Sequence, residues 1–68
     1  MVAIASGYPD RSKDEKLVRE LTNQYCPYHY MNANTFMWRL GLRHGLDRLK
    51  ASGTNPSYLE GHKVGLSN

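Results

Sequence analysis

Cysteine and long apolar runs are scarce in this sequence of 68 residues, and each scarcity excludes a class of protein. Cys26 is the only cysteine, so no disulfide can form within the chain, and a lone thiol indicates a reducing compartment. The first residues lack the basic segment of a signal peptide, and no stretch approaches the roughly 18 apolar residues of a membrane span. The sequence therefore predicts a cytoplasmic protein that does not enter a membrane.

The length allows one domain with a small core. A chain of this size buries only about 60% of its unfolded surface. Such proteins usually gain stability from disulfides, a metal or self-association. Because no disulfide is available, self-association is the favoured route, and we expect a homodimer.

Positive charge is concentrated in the second part of the chain. Residues 1–30 carry equal numbers of basic and acidic side chains, whereas residues 31–68 carry five basic ones against Asp47 and Glu60. Attraction to an anionic partner is therefore expected from the second part. The net charge of +3 is a mild bias, smaller than that of dedicated nucleic-acid-binding proteins.

Caps and breakers predict an all-α fold of three helices, short, long and short, after an irregular lead-in over residues 1–11. The first helix is expected over 12–25, with Ser12 and Glu15 at the spacing of a capping box and Pro27 beyond its end. The second is expected over 35–52, with Asn32 or Asn34 as its N-cap and Gly53 as its C-cap.

The third helix is expected over 57–66, following Asn55-Pro56, with a second capping box from Ser57 to Glu60. Apolar residues at helical spacing predict the buried faces of the first two helices. These residues are Leu17, Val18, Leu21 and Tyr25 in the first, and Trp38, Leu42, Leu46 and Leu49 in the second, where Phe36 and Leu40 widen the face.

One nine-residue pattern occurs twice, over residues 38–46 and 58–66. Both copies read aromatic-x-x-Gly-x-basic-x-Gly-Leu. Glycine inside a helix costs about 1 kcal/mol relative to alanine, so four such positions need a reason. The pattern predicts that Gly41, Gly45, Gly61 and Gly65 let these two helices pack closely, on each other or on a second chain.

These residues resemble the ribosome modulation factor family, small bacterial proteins, with short phage-encoded relatives, that inactivate ribosomes. Two alignments are possible. One matches Cys26-Pro27-Tyr28, Asn32, Trp38 and Gly41; the other matches Trp38, Gly41, Gly45, Gly53, Asn55-Pro56, Tyr58 and Gly61. The resemblance covers about 35 residues. It implies a closely packed helix pair and the ribosome as partner.

Basic and aromatic side chains are the candidate contacts to a partner. Arg39, Arg43 and Lys50 are predicted to share one face of the second helix, which suits a solvated polar surface, a phosphate backbone or an acidic protein surface. Tyrosines beside Pro27 are available for stacking, and Trp38 fits either a core or a contact surface. The predicted partner-binding residues are Tyr28, Tyr30, Trp38, Arg39, Arg43, Arg48 and Lys50.

Metal binding and catalysis have little support in the sequence. Cys26 and His29 have C-x-x-H spacing, with His44 and His62 as distant completing ligands, whereas structural zinc sites usually contain paired cysteines. No paired carboxylates, phosphate-binding loop or nucleophile set is present. We therefore expect no metal, no cofactor, no small-molecule substrate and no enzymatic activity.

Two functions follow from these observations as hypotheses. The first is a non-catalytic regulatory protein that binds and inhibits a larger cellular machine, which by resemblance is the ribosome and its RNA. The second is a phage-type homodimeric inhibitor that blocks a host protein, such as a transcription regulator, through a protein–protein interface. Steep salt dependence would distinguish phosphate binding from an apolar interface.

Overall fold

In the computed structural model, which describes residues 8–68, the chain forms an all-α domain of three helices. A 3₁₀ helix spans Tyr8–Lys13, and it is followed by α1 (Glu15–Tyr25), α2 (Ala33–Leu46) and α3 (Pro56–Ser67). The predicted fold class and helix count are confirmed. The lead-in over residues 1–11 was expected to be irregular, but from Tyr8 onwards it belongs to the 3₁₀ helix. The expectation for residues 1–7 lies outside the residues that the structure describes.

The N-terminus of α1 uses a different cap from the one expected. Asp14 is the N-cap, and its carboxylate accepts from the Leu17 N–H at 3.1 Å. Ser12 instead donates its hydroxyl and its N–H to the two carboxylate oxygens of Asp47, at 2.6 and 3.1 Å. The predicted start at Ser12 was therefore wrong, because this serine joins the 3₁₀ helix to the end of α2.

The second helix ends earlier than the predicted limit of residue 52. The Arg48 N–H donates to Gly45 O at 3.0 Å, and the Leu49 N–H donates to His44 O at 2.9 Å. This pair of bonds is a Schellman motif, which closes a helix by turning the chain back. Gly53, the expected C-cap, lies in the loop beyond it.

Arg48 occupies the left-handed position of this motif, with φ of 62°, where glycine is usual. Its guanidinium donates to Leu66 O at 2.6 Å and to Gly65 O at 3.3 Å. These carbonyls belong to the last turn of α3, where a cation is favourable. We conclude that contacts with α3 stabilise a turn that the residue type alone does not favour.

The core is formed by α1 and α2, with α3 closing one side. Trp38, Leu42, Leu46 and Val18 are fully buried, and Leu21 and Tyr58 nearly so. Leu49 was expected in this core but lies after the helix and is 51% exposed, while Tyr25 and Phe36 are also exposed. The apolar stripe of α2 is thus narrower and shorter than predicted.

Helices α2 and α3 run parallel. The early part of α2 meets the early part of α3, where Gly61 approaches Trp38, and the later parts meet where Gly65 approaches Leu46. The loop between the two helices must therefore run back along the pair before α3 begins. With this topology the two copies of the repeated sequence pattern lie side by side, each starting at the same end of the helix pair.

The N-terminus of α3 is capped by Asn55. Its side-chain oxygen accepts from the N–H groups of Ser57 and Tyr58, at 2.8 and 3.2 Å, with Pro56 at the first helical position. The capping box expected from Ser57 to Glu60 is therefore replaced by an asparagine cap. Ser57 is buried and donates its hydroxyl elsewhere.

We expect the substitution Asn55→Ala to destabilise the protein by about 1 kcal/mol, because two N–H donors of α3 lose their acceptor. For a domain of this size that corresponds to a fall of about 4–8 °C in melting temperature. Thermal unfolding followed by circular dichroism measures the effect. Asn55→Asp keeps the acceptor and serves as the control; an equal loss in both variants would contradict the capping role.

Candidate interaction site

The four glycines of the repeat lie in the contact between α2 and α3. A methyl group placed on Gly41 would overlap the Tyr58 carbonyl, and one placed on Gly61 would overlap the Trp38 carbonyl. The next pair repeats the relation, since Gly45 faces the His62 carbonyl and Gly65 faces the Leu42 carbonyl. Such close approach between helix backbones is possible only without a Cβ.

These contacts are reciprocal, so the two helices are related by an approximate two-fold axis parallel to them. Each copy of the pattern presents its first glycine to the aromatic residue that opens the other copy. The glycine surfaces are therefore occupied within a single chain. They leave no glycine face of this pair for a second copy, so a homodimer would need a different surface.

The returning loop is held against this helix pair by polar contacts. The Ser52 N–H donates to the Tyr58 hydroxyl at 3.1 Å, and that hydroxyl lies 2.5 Å from His44 Nδ1. Nε2 of the buried His62 donates to Leu49 O at 2.6 Å. Both histidines thus serve to position the loop.

The aromatic residues predicted to contact a partner occupy three different environments. Trp38 is fully buried, which corrects the expectation that it contacts a partner. Tyr28 packs against the core, and its hydroxyl accepts from Ser57 Oγ at 3.1 Å, so most of its surface is also used internally. Tyr30 is 79% exposed and is the one of the three that is open to a partner.

The basic side chains do not form one open face. Arg43 donates to Ser12 O at 2.7 Å and pairs with the Glu15 carboxylate at 3.1 Å. The hydrogen bond that Arg43 donates to the Glu15 carboxylate, together with the positive charge of Arg43, lowers the pKa of Glu15. The ion pair is therefore formed at neutral pH and is lost in acid as Glu15 takes up a proton.

Arg48 is also engaged within the chain, at the end of α3. Lys50 is exposed, and Arg39 is half-buried on α2. Of the four predicted basic residues, Arg39 and Lys50 thus remain available, and Lys50 lies beyond the end of α2 instead of on the helix face predicted for it. Sequence spacing placed Arg39 and Arg43 on one helix face correctly, but it contained no signal that Glu15 would face Arg43.

Three large apolar side chains near the start of α2 are the most exposed of their kind in the described chain. Tyr30 is 79% exposed, Met31 75% and Phe36 71%. We call these three residues the entry surface, because they lie in and just before the first turns of α2. The sequence analysis places Phe36 on the core face, although it lies two positions before Trp38, and a spacing of two puts two residues on opposite sides of a helix.

A shallow groove follows the entry surface along α2. It has a volume of about 180 Å³ and is lined by Phe36, Arg39, Leu40 and Arg43. A second groove of about 250 Å³ lies elsewhere, lined by Tyr25, Lys63, Val64, Ser67 and Asn68. The first combines apolar surface with two guanidinium groups, whereas the second contains one cation.

The residues considered for zinc or thiol chemistry do not come together. The Cys26 thiol lies 3.9 Å from Tyr28 O, and His29 Nδ1 accepts from the Met31 N–H at 3.2 Å. Within residues 8–68, no group of three or more His, Cys, Asp or Glu side chains is arranged to hold a metal ion.

Comparisons of this chain with known protein families, with characterised proteins and with solved structures found no match. None of the helices in the part of the chain that the structure describes is long and apolar enough to cross a membrane. The function is therefore inferred from the residues and contacts of this chain.

Proposed function

We propose that this protein is a non-catalytic regulatory protein of the cytoplasm that binds a larger cellular machine and inhibits it. The observation that supports this proposal is the entry surface, formed by Tyr30, Met31 and Phe36. Exposed aromatic and methionine side chains are typical of protein interfaces. Phe36 lies within α2, and Tyr30 and Met31 lie in the turn just before it.

A protein surface is the partner class that these contacts favour. Arg43 and Arg48 are bound within the chain, which removes two of the four basic residues that could have contacted phosphates. Apolar side chains dominate what remains exposed at the start of α2. This supports the hypothesis of an inhibitor, of the kind that phages encode, that blocks a host protein such as a transcription regulator.

Ribosomal RNA is the second candidate partner, and Tyr30 is the observation in its favour. Its ring lies 4.5 Å from that of His29, and its exposure leaves a face on which an unpaired base could stack. Lys50 is exposed and Arg39 is half-exposed, so both could reach phosphates. The resemblance to ribosome modulation factors adds to this candidate.

The homodimer predicted from the size of the chain stays a proposal. The repeated glycines do not support it, since they are used between α2 and α3 of one chain. A second copy would have to cover other exposed apolar side chains, such as Leu59 and Leu66. Light scattering at micromolar concentration distinguishes the dimer from a monomer.

We expect a tagged form of the protein to retain a protein partner from cell extract at both about 50 and 200 mM salt, because apolar contacts change little with salt. A variant carrying Tyr30→Ser, Met31→Ser and Phe36→Ser should lose that partner while keeping its helical circular dichroism. Mass spectrometry of the retained proteins is the measurement. Co-sedimentation with ribosomes at the same two salt concentrations tests the second candidate, for which binding should fall steeply.

The matched control is Leu59→Ser with Leu66→Ser, which removes exposed apolar side chains from α3 instead. It should leave the retained partner unchanged. Equal retention by wild type and by the entry-surface variant would overturn the proposed site. Turnover of a substrate by the purified chain would overturn the non-catalytic role.

A further inference from the structure

The groove on α2 is small and has two kinds of lining. Phe36 and Leu40 give it apolar surface, and Arg39 and Arg43 stand beside them around a volume of about 180 Å³. Pockets that enclose small molecules are usually larger, roughly 300–1,000 Å³. A volume of this size suits one large apolar side chain of a macromolecule, as when a helix docks by anchor residues.

Arg39 is less engaged within the described chain than Arg43. Its Nε has no hydrogen-bond partner among residues 8–68, but this atom is shielded from solvent, so the acceptor of a partner would have to bind the terminal Nη groups of the half-buried side chain. One turn further on, Arg43 shows which acceptor suits this surface, since its Nη1 and Nη2 donate to the two oxygens of the Glu15 carboxylate at 3.3 and 3.1 Å. Carboxylates match the planar fork of a guanidinium with two parallel bonds.

A second copy of the chain is a poor occupant of this groove. Two copies meeting through the same surface would be related by a two-fold axis, which sets Arg39 and Arg43 near their own counterparts. Like charges brought together in this way are unfavourable, and the chain carries a net charge of +3. Charge complementarity at the groove therefore favours an acidic partner.

A nucleic acid is also disfavoured at this position. Phe36 and Leu40 make up half of the groove lining, and a phosphate backbone would leave their apolar surface uncovered. Arg43 forms an ion pair with Glu15, whereas Arg39 forms none within residues 8–68, although its charge also acts on Glu15. One available cation beside apolar surface matches a peptide better than a polyphosphate chain.

We propose that this groove binds an acidic amphipathic helix of a partner protein. An apolar side chain of that helix enters between Phe36 and Leu40, and a neighbouring Asp or Glu carboxylate accepts from the Arg39 guanidinium. The inference rests on the proposed binding function and specifies the partner chemistry. It also joins the groove to the entry surface, since Phe36 belongs to both.

The test uses three probes against the full chain labelled with ¹⁵N. The first is a helix-forming peptide of 14 residues with leucines four apart and glutamates beside them; the second has lysines in place of the glutamates. The third is a 12-nucleotide oligouridylate. We expect the glutamate peptide to shift the amide resonances of Phe36, Arg39 and Leu40 and to bind at least about tenfold more tightly than the lysine peptide, which corresponds to about 1.4 kcal/mol.

Variants connect this preference to the groove. Arg39→Glu should reverse the order of the two peptides, and Arg39→Gln should abolish the difference. Phe36→Ser should weaken both peptides, whereas Lys63→Glu, which changes a cation in the second groove, should leave the order unchanged. Circular dichroism checks that each variant is folded.

Equal binding of the two peptides, or resonance shifts outside the groove, would overturn the inference. So would tighter binding of the oligouridylate at the same residues, or shifts that grow with protein concentration without a probe, which would indicate a second copy. The retention of a partner from cell extract tests the proposed function independently of the groove. If Arg39→Glu retains the partner that the entry-surface variant loses, the groove is not the docking site but the binding function stands.

Discussion

Replacing Gly61 by alanine should destabilise the protein by about 2–3 kcal/mol. The added methyl group would overlap the carbonyl of Trp38, so α2 and α3 must move apart. Backbone atoms cannot escape by changing rotamer, which puts the overlap at the upper end of the usual cost of overpacking. The better helix propensity of alanine returns only about 1 kcal/mol. A domain of this size has a total stability of roughly 3–10 kcal/mol, so the loss is a large fraction of it.

Chemical denaturation of Gly61→Ala and Gly41→Ala measures this cost, and the two should behave alike because their contacts are reciprocal. The control is Gly53→Ala, since nothing lies within 4 Å of the position its methyl group would take. Stabilities within about 0.5 kcal/mol of the wild type are expected there. Alanine at Gly61 with no loss of stability would mean that α2 and α3 do not meet backbone to backbone.

The close contact between α2 and α3 could be predicted because it depends on a single residue type, glycine, that is visible in the sequence. Glycine inside a helix carries a cost, so two copies with glycines four residues apart indicate a surface that needs the missing Cβ. Spacing also gave the stripe of Trp38, Leu42 and Leu46, which is fully buried. What the pattern left open was whether the partner helix belonged to the same chain.

Features that depend on residues distant in sequence could not be predicted. Ser12 has the type and spacing of an N-cap, yet it donates to Asp47, which is 35 positions away. Arg48 takes a conformation usual for glycine, and its guanidinium contacts α3. Local propensity describes what each residue prefers alone, and these positions are decided by tertiary contacts.

The same reasoning explains why the candidate site differs from the predicted one. The sequence offered Arg43 and Arg48 as cations available to a partner, but Arg43 donates to Ser12 O and Arg48 donates to Leu66 O within the chain. The exposed surface that remains is more apolar than composition suggested. Because two arginines are engaged within the chain and apolar side chains remain exposed, we propose a protein as the partner in preference to a phosphate backbone.

Trp38→Ala should unfold the protein at 25 °C or leave it close to unfolding. Trp38 is fully buried between the helices, and removing such a ring costs about 3–5 kcal/mol through lost burial and the cavity left behind. That approaches the whole stability expected for this chain length. Circular dichroism and the dispersion of amide resonances measure the loss.

Phe36→Ala is the matched control for this prediction, because it removes an aromatic ring from the same helix only two residues away. Phe36 is 71% exposed, so its loss should change stability by about 0.5 kcal/mol or less. Comparing the two variants therefore distinguishes an aromatic residue that packs in the core from one that is exposed on the surface. Trp38 keeps α2 packed, and Phe36 is available for a partner. If Trp38→Ala remained as stable as Phe36→Ala, the buried and exposed sides of α2 would be wrongly assigned, and the entry surface would lose its physical basis.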